Sequence, residues 1–257
     1  MATELTQAQV IECFHLALLQ VLPGHLKRDH YVVKGGANLR YFFKSVRYSE
    51  DIDFDTLLEE QWKLAEKADS AINSAALTLL LRQQDIVIAN VNSSKQTNTT
   101  QRWKVLLQPR GRDGTISTRV EFSRRNGEKR WKLEPVPFDV VRRYGLRPPT
   151  LQHYLEGPAT EQKIAALGLR CETQARDVFD LDLLFRSYPD AVVHGAVDST
   201  TLEKAIERCL ELPFDAFQAQ VIPFLDPAIV ELYDDREAWE QMQTSVAEKM
   251  ESIDARD

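Results

Sequence analysis

Val10, Phe14, Leu18, Val21 and Leu22 recur three or four positions apart, which predicts an amphipathic helix over 6–22 closed by Pro23-Gly24. Tyr31-Val32-Val33 is a short β-prone run broken by Gly35-Gly36, and 37–44 has helical composition. Residues 46–54 read as a second strand ending in carboxylates, and 57–84 as an Ala- and Leu-rich helical stretch. Residues 86–91 alternate as a strand does, 93–101 read as loop, and 103–107 and 115–122 are two more strands around the turn-rich 109–114. A further strand is expected at 132–136.

After Pro148-Pro149 the pattern changes. Residues 161–169, 174–188, 201–212 and 237–253 carry helical periodicity, and no strand is expected among them. The fold class is therefore α+β: a mixed sheet with flanking helices, followed by a helical C-terminal domain. The boundary is expected between 148 and 158, dividing the chain into domains 1–150 and 151–257. No internal repeat or low-complexity segment is evident.

The 257 residues are 43% hydrophobic and 28% charged, which fits a globular protein and excludes wholesale disorder. Three scattered cysteines, Cys13, Cys171 and Cys209, support neither a disulfide framework nor a zinc site. The apolar stretch 13–22 contains His15 and Gln20, lacks a basic leader, and is too short to span a membrane. A cytoplasmic protein with no membrane partner is expected. The net charge of −7 argues at first against nucleic acid. It is unevenly spread: −3 over 1–94, +9 over 95–147, −3 over 148–197 and −10 over 198–257. The basic segment interleaves arginines and lysines, Arg125 and Lys129 among them, with Trp103, Phe122, Trp131 and Tyr144. That pattern fits either RNA held by phosphate contacts and base stacking or a solvated sheet face over buried aromatics. The acidic tail could repel misplaced RNA, cover the basic face or simply maintain solubility.

The chemistry concentrates in Lys34-Gly35-Gly36-Ala37-Asn38-Leu39-Arg40 and Arg47-Tyr48-Ser49-Glu50-Asp51-Ile52-Asp53-Phe54-Asp55. A strand passing through Gly35 and Gly36 into a helix offers N–H groups and a helix N-terminus to phosphate, or is only a tight connection. Asp51 and Asp53 lie two apart, so on a strand they share a face while Ile52 and Phe54 enter a core. Neighbouring carboxylates repel unless a cation binds them, and Mg²⁺ favours carboxylate and phosphate oxygens; the alternative is an Asp-rich strand end. Continued alternation would place Arg47, Ser49 and Asp55 on that same face. Ser49 could contact a phosphate or a metal-bound water, or cap the strand. Asp55 reads as solvated or as a helix cap, and Lys34 as an exposed strand end. In Thr118-Arg119-Val120-Glu121-Phe122 the carboxylate lies on the polar face with Arg119, as a third metal ligand or as a surface residue paired with arginine. Asp177 and Asp180 are three apart on a helix and share a face, with Lys163 on the preceding helix. They make either a salt-bridged helix interface or a site in which Lys163 meets nucleotide phosphates and Asp177 orients it or the acceptor.

The glycine turn, helix and Asp-hydrophobic-Asp strand, in that order, resemble the polymerase-β-like nucleotidyltransferase superfamily. More specifically, Lys34-Gly35-Gly36, Leu39 and Arg47-x-Ser49-x-Asp51-Ile52-Asp53-Phe54 resemble the AbiEii/AbiGii-type toxins of type IV toxin–antitoxin and abortive-infection systems. Lys163-Ile164-Ala165-Ala166-Leu167 and Arg176-Asp177-x-x-Asp180-Leu181 continue the likeness, which covers 31–185. Three positions depart: Gly36 stands where the superfamily often has Ser, Gln162 replaces a frequent acidic residue, and Glu121 stands where Asp is more usual. The resemblance implies a nucleotidyltransferase domain completed by the helical one. Gly35 and Gly36 would bind the triphosphate of an NTP, with Arg47, Ser49 and Lys163 in the nucleotide site. Asp51, Asp53 and Glu121 would hold Mg²⁺ or Mn²⁺, and Lys163 and Asp177 would act in catalysis. It implies transfer of nucleotide from an NTP to RNA, with the tRNA 3′ end as acceptor, a block on translation, and a cognate antitoxin. The alternatives are a non-catalytic nucleotide- or RNA-binding module of the same fold, and a small-molecule nucleotidyltransferase.

Overall fold

A computed structural model describes residues 4–56, 60–124, 130–192 and 195–254. Its chain divides into two compact units, one of Met1–Phe42 with Tyr48–Tyr154, the other of Phe43–Arg47 with Leu155–Asp257.

In the first unit, α1 (Gln7–Val21) begins where the Thr6 hydroxyl accepts from the Gln9 N–H and the Gln9 side chain returns to the Thr6 N–H. β1 (Tyr31–Lys34) turns directly into α2 (Gly35–Phe42). β2 (Ile52–Thr56) follows, then α3 (Gln61–Ile72) and α4 (Ala75–Arg82). These two helices replace the single stretch expected over 57–84, whose first residues lie outside the described ones. Asn73 turns its side-chain amide back to the Asp69 carbonyl, and the Ser74 hydroxyl caps α4 by accepting from Leu77 N–H.

β3 (Ile86–Gln96), β4 (Thr100–Pro109), β5 (Ile116–Ser123) and β6 (Trp131–Pro135) lead to α5 (Phe138–Val141) and β7 (Thr150–Tyr154). β3 runs to Gln96, through residues whose polarity reads as loop, because its outer half is solvated and alternation disappears there. β7 comes after Pro149, where no strand was expected; it pairs with β1 in parallel and with β6 antiparallel. The sheet order is β3-β4-β5-β2-β1-β7-β6. Antiparallel β1–β2 and parallel β2–β5 put the carboxylate strand in its interior. One sheet face buries Ile52, Phe54, Trp103, Val105, Val120 and Phe122 in a core shared with Val10, Phe14 and Ala17 of α1.

The second unit holds α6 (Glu156–Leu169), α7 (Ala175–Ser187), α8 (Ser199–Glu211), α9 (Phe214–Gln220) and α10 (Arg236–Asp254). α6 starts five residues before the expected point because Pro158 sits in its first turn, where its missing N–H costs nothing. Ile164, Leu167, Val178, Leu181, Phe217 and Trp239 belong to its core. Gly168 permits close contact between helices, since a Cβ there would lie 2.5 Å from the Thr201 carbonyl oxygen.

Candidate active site

Asp53 is the centre of the carboxylate group in the first unit. On one side it pairs in register with Lys34 of β1, and on the other with Glu121 of β5. The turn after Lys34 comes close: Gly35 has φ +65°, and a Cβ on it would lie 3.2 Å from Asp53 Oδ2. Only glycine meets both demands, a left-handed backbone and close approach to the carboxylate. Gly36 is the second residue of α2. Asn38 ties that helix to β7, its amide donating to the Tyr154 carbonyl and its Oδ1 lying 2.9 Å from His153 Nδ1. Gly35→Ala is expected to destabilise the protein by about 1–2 kcal/mol, the cost of an L-residue in this backbone region. Urea denaturation measures it.

Asp51 and Glu121 face cations. Asp51 lies just before β2, where its Oδ1 accepts from the Arg119 backbone N–H at 3.1 Å and its Oδ2 from the Arg119 guanidinium at 3.0 and 2.5 Å. Glu121 accepts from Arg102 Nε at 2.6 Å and from the Ser123 hydroxyl at 3.2 Å. Hydrogen bonding to Asp51, outweighing partial burial, holds the Arg119 guanidinium more firmly protonated than usual. Among the described residues no three His, Cys, Asp or Glu side chains are grouped to hold a metal ion. The donor set nonetheless suits a hard divalent cation. It consists of carboxylate oxygens, those of Asp53 and Glu121 on adjoining strands, and Gly35 sets no side chain of its own against Asp53 Oδ2. Arg119 and Arg102 occupy the charge-neutralising part that such a cation plays.

The face-sharing expected for 47–55 stops at β2, which starts only at Ile52. Ser49 is buried and donates to the Asp51 carbonyl at 2.7 Å, so it shapes the turn before the strand. Asp55 is buried rather than solvated. Its carboxylate accepts from Lys34 Nζ at 2.5 Å and from the Tyr154 hydroxyl at 2.7 Å, so Lys34 is buried as well. The Tyr154 and Lys34 contacts, and the arginine clamps on Asp51 and Glu121, depend on strand pairing across the sheet and have no local sequence signal.

Arg47 belongs to the second unit, where its guanidinium donates to both Asp180 oxygens, with Nη2 3.0 Å from Oδ1 and 2.8 Å from Oδ2. Lys163 Nζ lies 2.7 Å from Asp177 Oδ1 and 2.6 Å from Asp180 Oδ2, and Arg170 holds the other Asp177 oxygen at 2.8 Å. Asp177 and Asp180 are fully buried. Burial raises the Asp180 pKa, but Arg47 and Lys163 outweigh it and hold the carboxyl below its ordinary range.

Of the two readings of the basic segment, the structure has the one with buried aromatics. Trp103, Phe122 and Tyr144 are buried, and Trp131 packs edge-on against Tyr154. Trp103 and Phe122 point to the core face of the sheet because their positions alternate with Arg102, Lys104 and Glu121. Arg125 and Lys129 lie outside the described residues.

The family model described as nucleotidyl transferase AbiEii toxin, type IV toxin–antitoxin system, matches residues 17–256. The chain belongs to this family. Two solved structures share the fold of this AbiEii-family chain. JHP933 from Helicobacter pylori is 20% identical, with 96% of this chain and 94% of that one covered and a TM-score of 0.59. MenT4, the nucleotidyltransferase toxin Rv2826c of Mycobacterium tuberculosis H37Rv, is 19% identical, with 97% and 85% covered and a TM-score of 0.60. A comparison with curated proteins finds no match. The AbiEii-family chain is a nucleotidyltransferase built on a mixed seven-stranded sheet with flanking helices and a helical C-terminal region. Membership brings a nucleotide substrate and a cognate antitoxin. No described helix is long and apolar enough to cross a membrane.

Proposed function

We propose that this AbiEii-family enzyme transfers a nucleotide from an NTP to an RNA hydroxyl, the tRNA 3′ end being the favoured acceptor, and thereby blocks translation in the cytoplasm. The main support is the placement of Asp53 between the Gly35 turn and Glu121. In that arrangement the backbone of the Gly35 turn lies beside acidic groups on adjoining strands, which supports a role for it in holding phosphate. N–H groups at the Gly35-Gly36 turn bind the triphosphate and orient it. The acceptor oxygen attacks the α-phosphorus, the bond from that phosphorus to the pyrophosphate oxygen breaks, and the hydroxyl proton passes to the Glu121 carboxylate. Asp51, Asp53 and Glu121 are the residues that would hold Mg²⁺ or Mn²⁺, which supplies charge neutralisation to the phosphates. The same proposal keeps Lys163 and Asp177 in the catalytic set. Ser49 shapes the approach to Asp51, and Arg47 belongs to the nucleotide site as a positioning residue.

The test is incubation with each labelled NTP, Mg²⁺ and total tRNA. Metal-dependent label on tRNA, removed by chelator, is the expected result. NTP binding without label on any RNA would leave a binding module, and label on a small hydroxylated acceptor alone would leave a small-molecule nucleotidyltransferase.

A further inference from the structure

The solvent-facing side of β3–β4–β5 carries two cross-strand rows of polar groups. In one, Lys95 pairs with Arg102, Arg102 with Glu121, and Glu121 with Asp53. In the other, Asn92 pairs with Lys104 and Lys104 with Arg119, whose guanidinium holds Asp51. Each row therefore leads from a carboxylate of the candidate site outward to the edge strand. At the usual strand spacing the first row, over four strands, is about 14 Å long and the second, over three, about 10 Å.

The two rows set four cations, Lys95, Arg102, Lys104 and Arg119, against three carboxylates, Asp51, Asp53 and Glu121. Lys104 stands directly opposite Arg119, a like-charge pair that costs stability in an antiparallel ladder. Arg119 and Arg102 have carboxylate partners, whereas the exposed Lys95 and Lys104 have none among the described residues. The next β4 residue on each side of Lys104, Trp103 and Val105, is buried on the opposite face, so the outer face is shaped by cations without aromatic rings.

From this arrangement we propose that the outer face of β3–β4–β5 is the track on which the acceptor RNA strand lies, with Lys95 and Lys104 contacting its phosphates. The inference rests on the reading of the enzyme as one that acts on RNA. A polyanion satisfies the unpaired ammoniums and relieves the Lys104–Arg119 repulsion, while the rows deliver its end to the carboxylates. Without aromatic platforms the track reads the phosphate backbone and not the bases. Its binding is strongly salt-dependent and nearly indifferent to sequence.

The experiment is fluorescence anisotropy of the full chain with labelled single-stranded RNA, one mixed sequence and one oligouridine, over a salt series. Lys95→Glu, Lys104→Glu and the double variant are compared with Lys204→Glu, the same charge change on α8. Each track variant is expected to weaken binding of both RNAs roughly 3- to 10-fold at low salt. Lys95→Ala and Lys104→Ala should each lower the slope of log affinity against log salt by about 0.7, the share of one phosphate contact on a single strand. Lys204→Glu should behave as wild type. Double-variant binding equal to that of Lys204→Glu, with wild type still labelling RNA, overturns the track alone. Wild type that neither binds nor labels RNA overturns both the track and the RNA-acceptor reading. Loss confined to one of the two RNAs overturns backbone readout. A melting temperature shared by the variants and wild type shows that the loss is not unfolding.

Discussion

Asp53→Asn is expected to reduce nucleotidyl transfer by at least about 10³-fold while leaving the fold intact, an effect in the range of removing one essential charge-stabilising group. The substitution keeps shape and removes only charge. Asp53 lies on an interior strand with Gly35 packed against Oδ2 and Glu121 in register beside it, so a larger exchange would disturb the turn as well. Asp55→Asn is the contrasting variant. Asp55 sits two residues along the same strand, but its oxygens are committed to Lys34 and Tyr154 in a buried cluster. Its exchange leaves a buried ammonium without its counter-ion and should cost about 3–5 kcal/mol. Transfer assays and urea denaturation of both variants separate the two roles. If Asp53→Asn retained more than a tenth of wild-type transfer, the carboxylate would not be part of the chemistry.

These two aspartates also mark where the sequence is readable. The glycine turn and the Asp-hydrophobic-Asp strand are local patterns: alternation places Ile52 and Phe54 in the core and Asp53 on the other face, as β2 has them. Asp55 obeys the same alternation, yet its burial comes from Tyr154 on β7, almost a hundred residues later. That strand follows two prolines and is five residues long, too short for its pattern to stand out. Arg47 and Ser49 fail differently. Their spacing mimics a strand, but Ser49 bends back to the Asp51 carbonyl and Arg47 goes to Asp180, so pairing partners and not periodicity decide their conformation. The basic segment was legible as charge. Which of its side chains face solvent depended on the β4–β5 register, which sends Trp103 and Phe122 inward and Lys104 outward.

In the second unit, Asp180→Ala should destabilise the protein by about 3–5 kcal/mol at neutral pH, the usual cost of removing one member of a buried, hydrogen-bonded ion pair. Asp180 accepts from Arg47 through both oxygens and from Lys163 through one, and all three side chains are buried. Its removal leaves Arg47 without this anion and Lys163 with Asp177 alone, which Arg170 already shares. The pH dependence follows from the depressed Asp180 pKa, ordinarily near 3.8. The folded state binds this proton less readily than the unfolded chain, so the stabilisation is complete above the ordinary value and is lost as pH falls through the lower folded one. Asp180→Asn, which cannot titrate, should therefore show a shallower loss of stability in acid than wild type, although it is less stable at pH 7. Guanidinium denaturation at pH 7 and across the acid range tests both statements. A cost below about 1 kcal/mol at pH 7 would place this carboxylate among weak surface-type pairs, against its complete burial. Lys163→Met separates catalysis from stability within the same network. The apolar side chain fills a similar volume without charge, and loss of transfer beyond the fraction unfolded assigns the lysine to the chemistry.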